Sequence, residues 1–509
     1  MSAVVTPRAA PSAVPTEAPR DGWAAVFALA RFETRKLLTR LPTLVAFTVY
    51  VAWIVWHATR SWDDHPALQN VDRVTQSVPP LVGLAVLLCA NSAGLRSRRH
   101  GTEPHFAVLP LQPWRRTAAH ALSVVPAALL TAVCVAGQFT WEALKPGAVG
   151  HGSPAELAVG PLTVLLFGAT GVLLARLVRS AFAAPLLTVC FLFLFVLGTG
   201  TSGDDATGWL TPSVPQLGPT LPSGLLDRPA AWHALYLLGA ALTAAVLAVL
   251  VAGARHWTVR AGLALTLALA LTGAVAQAAG VSPSPETTAA RERASVTPEK
   301  EQTCVERGRS RYCAFPEWTA WTGSWAGVVD RVQSLAGGTA STQGLVVRQR
   351  VEARYGLESD SALAPSATAH QVTVGTEWGG NRVPEFATAV AAVLVAGSEK
   401  AASDMCDGRM VTVMWLSVGW QDDPLDVLRR VRLDDSLKGA AVVLAPTDPL
   451  LMTSDVTTVV RNLLAKPRAE VTAKVKEHWA ELTAPGVTSA RAARLLGVTA
   501  PKAADTCGE

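Results

Sequence analysis

The chain has 509 residues, half of them hydrophobic and only 16% charged, with a net charge of +5 and a mean hydropathy of +0.30. Soluble globular chains carry about a quarter charged residues, so the composition excludes an ordinary soluble protein. The positive charges, mostly arginine, gather beside apolar stretches, which suits a membrane surface and argues against nucleic acid as a partner.

Residues 1–20 are rich in Pro and Ala and lack an apolar core, so they read as a disordered tail and not a cleavable signal. Residues 21–40 place Trp23, Val26, Phe27, Ala30, Leu37 and Leu38 at helical spacing, with Arg31, Arg35, Lys36 and Arg40 on the polar side. This predicts an amphipathic interfacial helix. A spanning helix needs about 20 mostly apolar residues. Seven stretches qualify, at 41–58, 78–95, 119–142, 157–175, 181–200, 232–253 and 261–281. The second is the weakest, because Asn91 and Ser92 fall near its end. Together they predict an all-α polytopic membrane domain over 41–281.

Orientation follows from the basic residues. With the N-terminus in the cytoplasm, the inner segments hold Arg31, Arg35, Lys36 and Arg40, then Arg96, Arg98, Arg99, Arg115 and Arg116, then Arg176, Arg179, Arg255 and Arg260. The outer loops hold Arg60, Arg73, Lys145 and Arg228 beside several aspartates. Seven spans from an inside start place the C-terminal part outside. The outer loop 201–231 reads either as short helices dipping into the outer leaflet or as a plain Pro-rich loop.

Residues 282–303 read as a polar linker, and 304–509 as one extracytoplasmic α+β domain, soluble and mostly helical. The run 409–420 is rich in β-branched and aromatic residues, which predicts a buried strand. Residues 439–446 read as a strand or a short buried helix. Helical periodicity covers 384–397, 454–465, 468–483 and 488–496, with Thr488 or Ser489 as a cap. Trp318, Trp321 and Trp325 share a helix face and are expected in the core. Cys89, Cys134 and Cys190 lie in apolar runs, whereas Cys304, Cys313, Cys406 and Cys507 form an even set in the polar half. On an oxidising face these four would form two bridges. Three pairings are open; the short spacing favours Cys304–Cys313, which leaves Cys406–Cys507.

The chain lacks H-E-x-x-H, G-x-S-x-G and G-x-x-x-x-G-K-[ST], so no zincin site, nucleophile elbow or phosphate-cradling loop is expected. Almost no ionisable groups fall inside the predicted spans, which argues against an ion-driven transporter. Work would then come from a partner through a mechanical contact. Segment 95–118 fits such a contact: Arg96, Arg98 and Arg99, a break at Gly101, then Glu103, Pro104, His105, Phe106 and Leu109 before Pro110, then Arg115 and Arg116. Pro104 suits the first turn of a short helix and Pro110 would stop it. The arginines set topology and attract anionic headgroups.

The run from Arg98 to Glu103, followed by Leu109, Pro110, Arg115, Arg116 and His120, is similar to the first intracellular loop of ABC transporter permeases of the type-2 exporter class. Residues 21–40 resemble that family's N-terminal amphipathic helix, and 201–231 sits where its outer re-entrant element belongs. The resemblance covers 21–253; the seventh span and the C-terminal domain depart from it. It implies that Glu103, Pro104, His105, Phe106 and Leu109 form a coupling helix docked on a separate ATPase subunit. ATP and Mg would bind that partner, and this chain would hold no cofactor and no metal. It also implies a second permease copy, as a homodimer or heterodimer, and a cargo of lipid, peptide or drug type. The expected place is the bacterial plasma membrane, a source to which the abundance of Ala and Arg also points. The rival readings are a membrane-anchored receptor or accessory protein whose outer domain binds a ligand, and a membrane-embedded enzyme.

Overall fold

The computed structural model describes residues 22–60, 65–102, 112–198, 208–214, 220–280, 282–354, 363–380 and 382–499. The tail 1–20 lies outside them. The first helix, α1 (Gly22–Leu38), buries Val26, Ala30, Glu33 and Leu37 along one stripe and leaves Trp23, Phe27 and Phe32 exposed. The helices that follow are α2 (Leu41–Arg60), α3 (Leu68–Val74), α4 (Pro79–Arg99), α5 (Pro113–Leu122), α6 (Val125–Ala143), α7 (Pro154–Leu177), α8 (Ala183–Gly198), α9 (Ala230–Val251) and α10 (Trp257–Ala279).

Among the described residues six stretches are long and apolar enough to cross a membrane: Leu41–Thr59, Leu68–Arg99, Pro113–Ala143, Pro154–Leu177, Ala230–Val251 and Trp257–Ala279. Six of the seven expected spans therefore reach spanning length. Of the run 181–200, the described helix α8 has 16 residues, a rise of about 24 Å.

Small residues decide how closely the helices pack. A Cβ on Gly239 of α9 would lie 2.4 Å from the backbone nitrogen of Ala270, and one on Gly273 of α10 2.5 Å from that of Tyr236. The two helices thus touch backbone to backbone. Gly171 of α7 meets Leu87 of α4 in the same way, at 2.4 Å from its carbonyl oxygen. Asn91, the polar residue that weakened the second span on paper, is buried at this seam. Its amide donates to the Gly171 carbonyl at 3.3 Å, so the polar group is satisfied inside the bundle.

The polar stretch 282–303 is not a linker. It forms α11 (Pro285–Val296), capped by the Ser284 hydroxyl, which accepts from the Thr287 amide at 3.1 Å. Ala294 is buried in the C-terminal core, and the Ser295 hydroxyl accepts from the Ala353 amide at 2.9 Å. Strands β1 (Thr303–Arg307), β2 (Ser310–Ala314), β3 (Val346–Gln349) and β4 (Gln371–Val374) form one sheet in sequence order. The first pair is antiparallel and the other two are parallel. Gly308, at φ +61°, opens the two-residue turn of the first hairpin. That register sets Cys304 opposite Cys313, and the two are joined by a disulfide. Cys406 is disulfide-bonded too, and Cys507 lies outside the described residues. Cys89, Cys134 and Cys190 are free thiols.

The sheet packs against α12 (Thr322–Leu335) and α13 (Arg382–Ala396), and α15 (Arg409–Val418) packs on those two helices in turn, with the short α14 (Glu399–Ser403) between α13 and α15 in the chain. Residues 409–418 were expected as a strand. They form a helix whose residues Met410–Val418 are all buried. Burial on every side erases the polar/apolar alternation that separates helix from strand, so β-branched content alone misassigned it. A second, two-stranded sheet pairs β5 (Ala441–Val443) with β6 (Leu450–Met452), in keeping with the strand reading of 439–446. After α16 (Pro424–Val431), helices α17 (Ser454–Leu464), α18 (Arg468–Glu477), α19 (Trp479–Leu482) and α20 (Ser489–Leu496) complete the region. Thr488 caps α20. Trp318, Trp321 and Trp325 are buried together, as their spacing predicted.

Candidate functional site

Two ends of the helical bundle concentrate the polar side chains. At the basic end α4 finishes in Arg96, Arg98 and Arg99, where positive charge complements the helix dipole. Gly101, at φ +64°, then turns the chain out. The Gly101 amide donates to the Arg98 carbonyl and the Thr102 amide to that of Ser97, at 3.2 and 2.9 Å. This is the Schellman closure expected of a glycine after a helix. The chain resumes at Pro113, the first residue of α5, followed by Arg115 and Arg116. Glu103, Pro104, His105, Phe106 and Leu109 lie outside the described residues.

Helix α1 braces both feet of that segment. Glu33 is 5% exposed and holds Arg96 through two hydrogen bonds of 3.0 Å each. On the other foot, Val26 and Ala30 pack on Ala119 of α5. Trp23 meets Trp114 edge to face at 6.1 Å, and the Arg115 guanidinium lies 5.3 Å from the Trp114 ring. The Thr34 hydroxyl donates to the Ser123 carbonyl at 3.3 Å. The sequence marked the arginines; it gave no hint that a carboxylate 63 residues upstream in the chain would fix one of them.

At the opposite end the helix termini are tied by buried polar contacts. Ala67 bridges Val149, with the Leu68 amide on the Val149 carbonyl at 2.9 Å. Asp72 accepts from the Ser153 amide at 2.7 Å. Glu156 pairs with Arg228 at 2.7 Å and also accepts from Gln76, whose own carbonyl takes the Val214 amide at 3.4 Å. Segment 208–214 lies alongside the helices here: Tyr236 donates to the Leu210 carbonyl at 3.3 Å and Thr163 to that of Pro212 at 2.6 Å. Asp72, Arg73 and Arg228, counted from sequence as outer-loop charges, are drawn into this buried layer.

The C-terminal region sits on that same end. The Glu317 carboxylate accepts from the Ser223 amide at 3.0 Å and from Gln69 at 3.1 Å. Trp321 donates to the Gly147 carbonyl at 2.6 Å, and His65 lies edge-on to both Trp321 and Trp378.

A cavity of about 740 Å³ opens between the two parts. Its membrane wall carries Trp56 and His57 from α2, Val71 and Val74 from α3, and Gln138 and Glu142 from α6. Its other wall is the loop after β4, with Thr376, Glu377 and Trp378, and Arg382 at the start of α13. Glu142 pairs with Lys145 at 2.8 Å, and Arg382 pairs with Glu377 and Glu385 at 2.8 and 2.7 Å. Burial pushes the Glu385 carboxyl above the usual carboxylate range, against the pull of Arg382. Three buried polar atoms of the lining have no hydrogen-bond partner: Gln138 Oε1, Thr376 Oγ1 and Trp378 Nε1. Nothing in the sequence announced this cavity, because its walls come from five separate stretches between 56 and 382.

Among the described residues no group of three or more His, Cys, Asp or Glu side chains is placed to hold a metal ion. Comparison of the chain with family models, curated proteins and solved structures found no match.

Proposed function

We propose that this chain is a membrane-spanning permease subunit of an ATP-driven exporter, related to the type-2 class of ABC transporters and working as a dimer with separate ATPase subunits in a bacterial plasma membrane. The carrying observation is the bracing of both feet of segment 103–111 by α1, through Glu33–Arg96 and the Val26, Ala30 and Ala119 contact. A partner that pulls on 103–109 would then move α1, α4 and α5 together. The cargo would be a lipid, a peptide or a drug-like molecule.

In this reading the chain crosses the membrane seven times, with the N-terminus in the cytoplasm and the C-terminal domain outside. Connectivity supports the seventh crossing. Helix α7 ends at the basic end, whereas 208–214 packs at the opposite one, beside Gln76 and Thr163. The chain between them has to pass from one end to the other, and α8 is the apolar helix that lies there.

Deleting 103–109 is expected to abolish nucleotide-driven transport and association with the ATPase, while the protein stays folded. Transport that survives the deletion would refute the docking role. For orientation, Cys304 or Cys406 should react with a membrane-impermeant thiol probe on reduced, intact cells; labelling only after lysis would refute the outside placement. The alternative of a ligand-binding receptor or accessory protein is favoured by one observation, the cavity between spans and C-terminal domain.

A further inference from the structure

We propose that the cavity between α2, α3, α6 and the loop after β4 binds an amphiphile with a primary ammonium headgroup, of the phosphatidylethanolamine kind. The position selects an amphiphile. Trp56 is 57% exposed at the end of a spanning-length helix, where amphipathic rings mark the membrane boundary. Val71 and Val74 line the same wall, so an acyl chain leaving the cavity meets apolar surface.

The lining selects the headgroup. Gln138 and Glu142 lie one helical turn apart, so they share a face of α6. The Gln138 side chain is 96% buried, with its Oε1 unpaired. An acceptor left bare in a buried site is costly unless a donor arrives. Glu142 adds carboxylate character beside it, countered by Lys145 at 2.8 Å. Across the cavity the Glu377 carboxylate is matched by the Arg382 guanidinium at 2.8 Å. With both carboxylates of the lining paired, no surplus positive charge is offered to an anionic headgroup, and the bare Gln138 acceptor calls for a donor. The unpaired Thr376 hydroxyl and Trp378 N–H can serve the acceptor oxygens of the same ligand. Phosphatidylethanolamine supplies both: three N–H donors for one wall and phosphate or ester oxygens for the other. Phosphatidylcholine has the charge without the donors, and phosphatidylglycerol lacks the cation. This inference does not rest on the exporter reading, since the cavity lies within one chain and needs no nucleotide.

The test is lipid titration of the full-length, detergent-purified chain by native mass spectrometry. Dioleoyl phosphatidylethanolamine, phosphatidylcholine and phosphatidylglycerol are compared with Gln138→Leu and Trp378→Phe variants. The ethanolamine lipid should bind at least about tenfold more tightly than the other two. Gln138→Leu should remove that preference while leaving the melting temperature unchanged or raised, because it deletes an unsatisfied buried acceptor. Trp378→Phe, which keeps the ring, should weaken binding about threefold or more. Equal binding of the choline lipid would overturn the ammonium-donor assignment, and preference for the glycerol lipid would overturn the charge argument. Unchanged binding by both variants would overturn the location. Glycerophosphoethanolamine, the headgroup without acyl chains, should fail to compete at equal concentration; if it displaces the lipid, a soluble ligand and not a lipid is the occupant.

Discussion

The brace between Glu33 and Arg96 is the feature whose removal tests the basic end most directly. Glu33→Gln keeps the shape of the side chain and removes its charge; Arg96→Met does the same from the other side. Breaking one half of a buried ion pair costs about 3–5 kcal/mol. The Glu33 side chain is 6% exposed but that of Arg96 is 29% exposed, so water recovers part of the loss and about 2–3 kcal/mol is expected. The stability of α1 on the bundle is local, and native-state amide exchange reads it. Amides of α1 should exchange about 30- to 150-fold faster in either variant, while those of α9 and α10 keep their rates. The double variant should be little worse than the more damaging single one, because the two residues share one interaction. Rates in α1 that do not change, or effects that simply add, would refute the brace.

Two further outcomes follow from the fold. The fully buried Arg432 guanidinium holds Asp434 by hydrogen bonds of 3.1 and 3.0 Å, and this pairing, with help from Ser436, lowers the Asp434 carboxyl to about 2. A folded value below the unfolded one of about 3.9 means stabilisation present above pH 4 and lost as pH falls through 2. Asp434→Asn should therefore cost about 1 kcal/mol at neutral pH, discounted for the exposed carboxylate, and the gap from wild type should close between pH 4 and pH 2; a gap constant with pH in denaturant titrations would contradict this. Gly273→Ala should destabilise by about 1–3 kcal/mol, since its Cβ meets the Tyr236 backbone, whereas Gly262→Ala in the same helix meets nothing within 4 Å and should be neutral or mildly stabilising. Thermal unfolding of the two variants in detergent checks the contrast, and equal effects would contradict the close packing of α9 and α10.

Which parts were legible follows from the range of the interactions involved. The spanning-length helices could be read because length and apolarity are properties of one continuous run. Caps were legible for the same reason: Thr488 starts α20, and Gly101 ends α4, through bonds within a few residues. The Ser284-Pro285-Glu286 start of α11 was equally local, but the surrounding polarity drew the reading toward a linker. The cross-strand Cys304–Cys313 bridge was accessible because its turn is short. Segment 409–418 was not, since nothing along the run distinguishes helix from strand once every side is buried. The sites depend on partners far apart in sequence. Glu156 meets Arg228 at a separation of 72 residues and Gln69 meets Glu317 at 248, and no local pattern encodes such pairs.

The two ends of the bundle are held in different ways, and the difference bears on where motion is cheap. At the end facing the C-terminal region, α3, α4, α7 and α9 are cross-tied through Ala67–Val149, Asp72–Ser153 and the Gln76–Glu156–Arg228 group. Glu317 and Trp321 then fasten the C-terminal region over them. Those contacts are buried, so displacing one leaves several polar groups unsatisfied at once. At the basic end, α1 is held by the Glu33–Arg96 ion pair, a hydroxyl bond to Ser123, the Trp23–Trp114 ring contact and a narrow apolar stripe. Sliding within the α9–α10 pair or the α4–α7 pair is opposed by backbone contact at Gly239, Gly273 and Gly171. A force applied between Thr102 and Gln112 would therefore meet least resistance as a tilt of packed pairs about the end beneath the C-terminal region. On the exporter reading, that places the pivot next to the cavity and makes an occupant there a natural modulator of the tilt.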